Sequence, residues 1–243
     1  MANIDFRFAL EQVPEILKGV PYTLLVTLVA MLVGLIIGTI LAFFRVYRTP
    51  VLNQLAILFV SFFRGTPLIV QLFVFFYGLP RFIMYLNDLF GWNINPDFMS
   101  PLVIALIAYS INSASYLTEV VRSAILSVDK GQLEAAKSVG MTTVQAMRRI
   151  ILPQAFVTAL PNLGNQLIIL LKASALAFTI GIMDVLGIAR MIANDGYHFL
   201  ETYLVAALIY WLLAIIFEMV FSKMEQRSNT FKGNVERKAK AAI

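Results

Sequence analysis

The sequence has no cysteine and only one histidine, His198. The thiolate and imidazole ligands of zinc and iron sites are therefore missing, and no resident metal or other cofactor is expected. Without cysteine a disulfide scaffold is excluded, while the compartment stays open. Charge is scarce too: 14% of the 243 residues are Asp, Glu, Lys or Arg, against about a quarter in a soluble domain. Glycine and proline, 13 and 9 residues, are too few for a collagen-like or low-complexity chain. No G-x-x-x-x-G-K-[ST] run exists to cradle a phosphate, so no nucleotide is expected on the chain. The stretch 1–18 is mixed and acidic, with no basic region ahead of a short apolar core. It does not read as a cleavable signal, and the first apolar span is expected to target the chain.

What is present is apolar. Hydrophobic residues make up 60% of the chain and the mean hydropathy is +0.81. They come in runs long enough for membrane helices, which need about 20 residues at about 1.5 Å rise each. Five spans are predicted: Val20–Phe44, Leu52–Tyr77, Pro101–Ser123, Pro153–Leu171 and Tyr203–Phe221. A sixth stretch, 173–192, is interrupted by Gly181, Asp184, Gly187 and Arg190, and reads as a short re-entrant or interfacial helix. The class is therefore an all-α integral membrane protein of one domain, 1–243, with a flexible basic tail from about residue 228.

The net charge of +5 is read as membrane topology and not as affinity for nucleic acid. Thirteen of the 19 Lys and Arg residues fall on one side, on the loops after spans one and three and on the tail. Four, Arg7, Lys18, Arg81 and Arg190, fall on the other, and Arg64 and Lys172 lie within or beside spans. The positive-inside rule then puts the N-terminus outside and the C-terminus in the cytoplasm.

The cytoplasmic loop 129–150 is the most informative segment. Gln132–Val139 reads as a short helix whose Ala135 and Ala136 offer a small-residue docking surface. Gly140 stands where a C-terminal glycine belongs, and a second helix is expected from Thr142 or Thr143. Pro153 then begins the fourth span. On this reading alone Glu134 is either a docking anchor or an i,i+3 partner of Lys137, worth a few tenths of a kcal/mol.

Glu134-Ala135-Ala136, three residues, Gly140, nine residues, then Ile150-x-Leu152-Pro153 resembles the EAA loop of ABC importer permeases. The likeness to the polar amino acid branch extends to Arg64-Gly65-Thr66-Pro67, Glu119-Val120-Val121-Arg122 and Leu171-Lys172 with Ser174. The resemblance implies a type I importer fold in a bacterial cytoplasmic membrane. It implies a second permease, identical or related, and an external substrate-binding protein. It also implies separate ATPase subunits docked on a coupling helix through Glu134, Ala135, Ala136 and Gly140, with ATP used only by those subunits.

On span three, Tyr109, Asn112, Tyr116, Glu119 and Ser123 share an arc about 80° wide, with Ser115 and Arg122 beside it. Asn162, Asn165 and Gln166 follow helical spacing on span four, past Pro161. Asn112, Ser115, Tyr116, Glu119, Asn162, Asn165 and Gln166 are the candidate substrate pathway. The same groups could instead bond helix to helix, and Glu119 with Arg122 reads more simply as a structural or gating pair. Arg64-Gly65-Thr66-Pro67 reads as a buried guanidinium beside a helix break, which either holds spans together, the simpler reading, or meets a ligand carboxylate. Asp184 reads most simply as a partner of Arg190, or else contacts the binding protein or attracts a substrate ammonium, and His198 and Asp195 are expected to be solvated.

Amides, hydroxyls and one acid suit a small zwitterion. Ser174–Gly181 resembles the cystine-type subset of amino acid permeases. The expected function is thus ATP-driven import of a polar amino acid. The alternative is a stand-alone secondary transporter or channel, with Glu119 or Glu218 as ion relay. An enzyme is not expected: no nucleophile–base pair or metal motif offers catalytic residues.

Overall fold

The computed structural model describes residues 5–240, with side chains through residue 227. Among the described residues there are helices and no strands. An amphipathic helix α1 (Phe6–Leu17) is capped by Asp5, whose carboxylate accepts from the Phe8 N–H at 2.9 Å. The first crossing, α2 (Val20–Val46), follows after one tight turn. That turn needs Gly19, because a Cβ there would lie 2.4 Å from the carbonyl carbon of Asp184.

The second crossing, expected at 52–77, has the helix break expected beside Arg64. It is split into α3 (Leu52–Gly65) and α4 (Leu68–Phe90). Thr66 between them is extended, at φ −115° and ψ 143°. The cause is local: Pro67 has no N–H and disfavours helical backbone at the residue before it. The crossing also runs on to Phe90, past the expected end at Tyr77.

The third crossing, α5 (Pro101–Leu126), is the most buried of the five membrane-length helices. Its tightest neighbour is α2. A Cβ on Gly34 would lie 2.8 Å from Cβ of Ser113, and one on Gly38 would lie 2.9 Å from the backbone nitrogen of Thr118. Small residues let two backbones approach where apolar burial supplies no drive between membrane helices. Gly38→Leu is therefore expected to cost stability at the upper end of about 1–3 kcal/mol. It should lower the melting temperature of the detergent-solubilised chain; an unchanged value would mean that α2 and α5 do not pack this closely.

Beyond α5 lie α6 (Lys130–Ser138), α7 (Thr143–Ala146), a π-helical turn at Met147–Ile151, and the fourth crossing α8 (Leu152–Ala173), extended by a 3-10 segment at Ser174–Ile180. The stretch 173–192 makes no sixth crossing. Gly181, at φ +90°, turns the chain, and α9 (Val185–Gly196) follows. The last crossing begins α10 (Phe199–Lys240). Where a flexible tail is expected from about residue 228, the backbone stays helical to Lys240; residues 241–243 lie outside the described residues.

Two outer-side expectations are corrected. Asp184 is fully buried and does not meet Arg190. It caps α9, accepting from the Gly187 N–H at 2.8 Å, and accepts from the Tyr210 hydroxyl at 2.7 Å. Arg190, six residues on, leaves α9 about 120° around from it. Burial pushes the Asp184 carboxyl up to about 6, against the lowering pull of those hydrogen bonds. His198 is not simply solvated: its ring stacks on Phe8 at 4.1 Å and lies 3.9 Å from Glu201. Asp195 is exposed, as expected. These contacts close the outer end, where Ile16, Val185, Ile188 and Val205 pack α1, α9 and α10 together.

Candidate functional site

Two regions gather the functional side chains, one on the cytoplasmic loop and one in the membrane. On the loop, Asp129 caps α6 by accepting from the Gly131 N–H at 2.6 Å. The helix ends in a Schellman turn: the Met141 N–H reaches the Ala136 carbonyl and the Gly140 N–H the Lys137 carbonyl, both at 3.0 Å. Gly140 holds φ +84°, which glycine takes without strain. A reciprocal cap of Thr142 and Gln145 then starts α7, with N···O distances of 2.9 and 3.2 Å. The π turn leads directly into Pro153, whose ring nitrogen has no hydrogen to give to the ladder.

This pair of turns fixes what the loop presents. Of the small-residue surface expected at Ala135 and Ala136 only Ala135 is presented, since Ala136 faces inward and is buried, while Glu134 and Ala135 are exposed. Glu134 has no ion-pair or hydrogen-bond partner among the described residues, so the pairing with Lys137 is not formed. Val139 and Val144 stand 77% and 76% exposed beside it, outside the candidate membrane spans or at the end of one. The loop thus sets an unpaired carboxylate among small and bare apolar side chains. Sequence reading did not single out the two valines; their place on either side of the Gly140 turn is the signal that could have found them.

Within the membrane, the α3–α4 break opens a cleft of about 370 Å³ against α5 and α8. The carbonyls freed at the break are covered by Gln71, one turn into α4. Its amide donates to the Phe63 carbonyl at 2.8 Å and the Thr66 carbonyl at 3.0 Å, and its oxygen accepts from Asn112 at 3.0 Å. Gln71 was not anticipated, although an amide four residues past a proline break is where such a group can reach back. Arg64 is exposed, not buried as expected, because the break turns it onto the open face of the Tyr116 ring, where its guanidinium lies 5.3 Å from the centroid. Thr66, Asn112, Tyr116 and Gln166 line the same cleft, and among the described residues no carboxylate does.

The seven candidate pathway residues therefore separate. Asn112, Tyr116 and Gln166 come together at the cleft, joined by Arg64 and Thr66. Ser115 is buried behind it, donating to the Asn112 carbonyl at 2.6 Å. Glu119 lies further along α5, between Arg45 of α2 and Arg122, the latter at 2.9 Å. Asn162 and Asn165 are exposed on α8, and neither has a partner among the described residues. The stripe on α5 is thus not one continuous wall. Tyr109 bonds the Ala173 carbonyl at 2.8 Å, Asn112 bonds Gln71, and Glu119 bonds Arg45. Lys172 is exposed in a separate groove with Tyr210 and Glu218. Among the described residues no three His, Cys, Asp or Glu side chains converge as a metal site would require.

Comparison with known proteins gives these sites a context. Residues 34–229 match the family described as binding-protein-dependent transport system inner membrane component. The probable amino-acid permease protein YxeN of Bacillus subtilis is 42% identical, the match covering 93% of this chain and 96% of that protein. The L-cystine transport system permease protein TcyL of the same organism is also 42% identical, over 92% and 91% of the two chains. Among solved structures, a chain from the crystal structure of an amino acid ABC transporter with histidines superposes with a TM-score of 0.78 at 34% identity, covering 93% of this chain and 99% of that one.

Proposed function

The chain belongs to the binding-protein-dependent transport system inner membrane components and is an amino-acid ABC transporter permease subunit of the type I importer kind, and on that premise we propose that its cargo is a small zwitterion such as cystine. The observation that carries the proposal is the cleft at the α3–α4 break, which offers one guanidinium, amides and hydroxyls and no acid. That set suits an α-carboxylate on Arg64, with a neutral side chain held by Asn112 and Gln166. Asn162 and Asn165 face a second permease or the water between the two, because unpaired amides are costly against lipid. The setting is a bacterial cytoplasmic membrane.

Drive enters through α6. Glu134, Ala135 and the two bare valines dock on a separate ATPase, and since α6 links α5 to α7 and α8, its movement reaches both walls of the cleft. An external binding protein delivers the amino acid. The secondary-transporter reading is the weaker one: of the two acids it could use as a relay, Glu119 is held between two arginines and Glu218 is exposed in a groove apart from the cleft.

The test is ATP-driven uptake into vesicles holding the permease with its ATPase and binding protein, using labelled L-cystine, L-glutamine and L-arginine in turn. Uptake of a neutral amino acid, cystine first, is expected; a transporter that accumulates arginine in preference would refute the acid-free reading. Glu134→Ala is expected to weaken ATPase capture about tenfold without altering membrane insertion. Unchanged co-purification with the ATPase would take the anchor role from Glu134.

A further inference from the structure

The chain holds a second cleft, larger than the first, that the transport reading so far leaves unused. It encloses about 580 Å³ between the 3-10 segment and α9, on the side that the charge count places outside. The left-handed turn at Gly181 folds α9 back so that Phe178 and Thr179 line this cleft with Arg190 and Asn194. The Arg190 guanidinium lies over the Phe178 ring, 4.8 Å from its centroid. Arg190 has no carboxylate partner among the described residues: Asp184 is turned inward onto Tyr210, and the exposed Asp195, five residues on, forms no ion pair with it. Stacking occupies one face of the guanidinium and leaves its edge N–H groups to donate in a planar fork.

The chemistry repeats that of the membrane cleft. Each has one arginine laid on an aromatic ring, neutral hydroxyl and amide neighbours, and no acid in its lining. The two are joined by a single element. Ala173 lines the inner cleft and Phe178 the outer one, five positions apart along a helix rising about 2 Å per residue, so about 10 Å. We propose that the outer cleft is a receiving site for the transported amino acid, with Arg190 taking its α-carboxylate before the molecule passes inward to Arg64. The proposal rests on the transport reading of the inner cleft. It adds a selectivity step: with no acid in either lining, a cationic side chain finds no counter-charge at either stage.

The test uses the whole transporter in vesicles, with a labelled mixture of the proteinogenic amino acids plus L-cystine as probe. R190Q is expected to raise the KM of ATP-driven uptake about ten- to hundredfold, as loss of a charge-assisted bond to a carboxylate would. ATPase turnover and binding-protein docking should be unchanged, and R190K should fall between R190Q and the unmodified chain. Because the sequence has no cysteine, N194C provides a single thiol in the cleft. The same mixture, with cysteine left out and cystine replaced by its thioether analogue L-cystathionine, should slow its reaction with a membrane-impermeant thiol reagent. Unaltered uptake by R190Q, or an unprotected N194C, overturns the receiving site and leaves the transport reading standing. Loss of binding-protein docking in R190Q makes Arg190 a protein contact and overturns it as well. No ATP-driven uptake by the unmodified transporter removes both readings together.

Discussion

Glu119→Ala is expected to destabilise the chain by about 2–3 kcal/mol, below the range for a fully buried pair because the group is partly open to solvent. Glu119 is the one carboxylate bonded to Arg45 of α2 and Arg122 of α5. Its side chain is 22% exposed, and those of the two arginines 17% and 32%. Truncating it strips both guanidiniums of their counter-charge and leaves two like charges facing each other where α2 meets α5. The melting temperature of the solubilised chain should fall by several degrees. Removing one of the two cations as well, in Arg45→Met with Glu119→Met, should recover part of the loss. It ends the repulsion and replaces the more buried pair by apolar groups, while Arg122, the more exposed arginine, stays unpaired. Equal melting temperatures for Glu119→Ala and the unmodified chain would show the contact to be a solvated surface pair.

That prediction marks where sequence reading succeeds and where it stops. Five crossings and their direction are legible because a bilayer asks for about 20 apolar residues and sorts Lys and Arg by side. The cap at Thr142 and the turn at Gly140 are legible because each depends on the few residues around it. The break beside Arg64-Gly65-Thr66-Pro67 is legible for the same reason, although hydropathy averages over it: Leu52–Tyr77 is apolar on both sides, so a window sees one span where the backbone makes two helices. The partner of Glu119 is a different matter. Glu119 and Arg122, three apart on one helix, read as a pair, while Arg45 is 74 residues away and nothing in its spacing points to α5. Asp184 shows the same limit. Its neighbour Arg190 is near in sequence but leaves the helix on another side, and the bond it makes is to Tyr210, on α10. Periodicity places a residue on a face; it does not say which helix will lie against that face.

In the membrane cleft the same limit concerns function, and Arg64→Gln is the substitution that tests it. ATP-driven uptake of a neutral amino acid is expected to fall about ten- to hundredfold, the range for losing a charge-assisted hydrogen bond. Assembly with the ATPase should be spared. Arg64 is exposed in the chain, and its contact with Tyr116 at an open site is worth only about 0.5–1 kcal/mol. Its loss therefore removes little that holds α3 to α5, and the Gln71–Asn112 bridge across the helix break remains. Arg64→Lys should recover part of the uptake, since an ammonium keeps the charge but not the planar fork that matches a carboxylate. A complementary change asks whether the missing acid sets the class of cargo. Gln166 is almost fully buried and lines the cleft, so Gln166→Glu would place a carboxylate where the unmodified chain has none. If the absence of an acid is what turns away cationic amino acids, that variant should admit L-arginine at the expense of neutral cargo. Should Arg64→Gln transport as well as the unmodified chain, the guanidinium belongs to the helix break alone, and the carboxylate of the cargo must be held elsewhere.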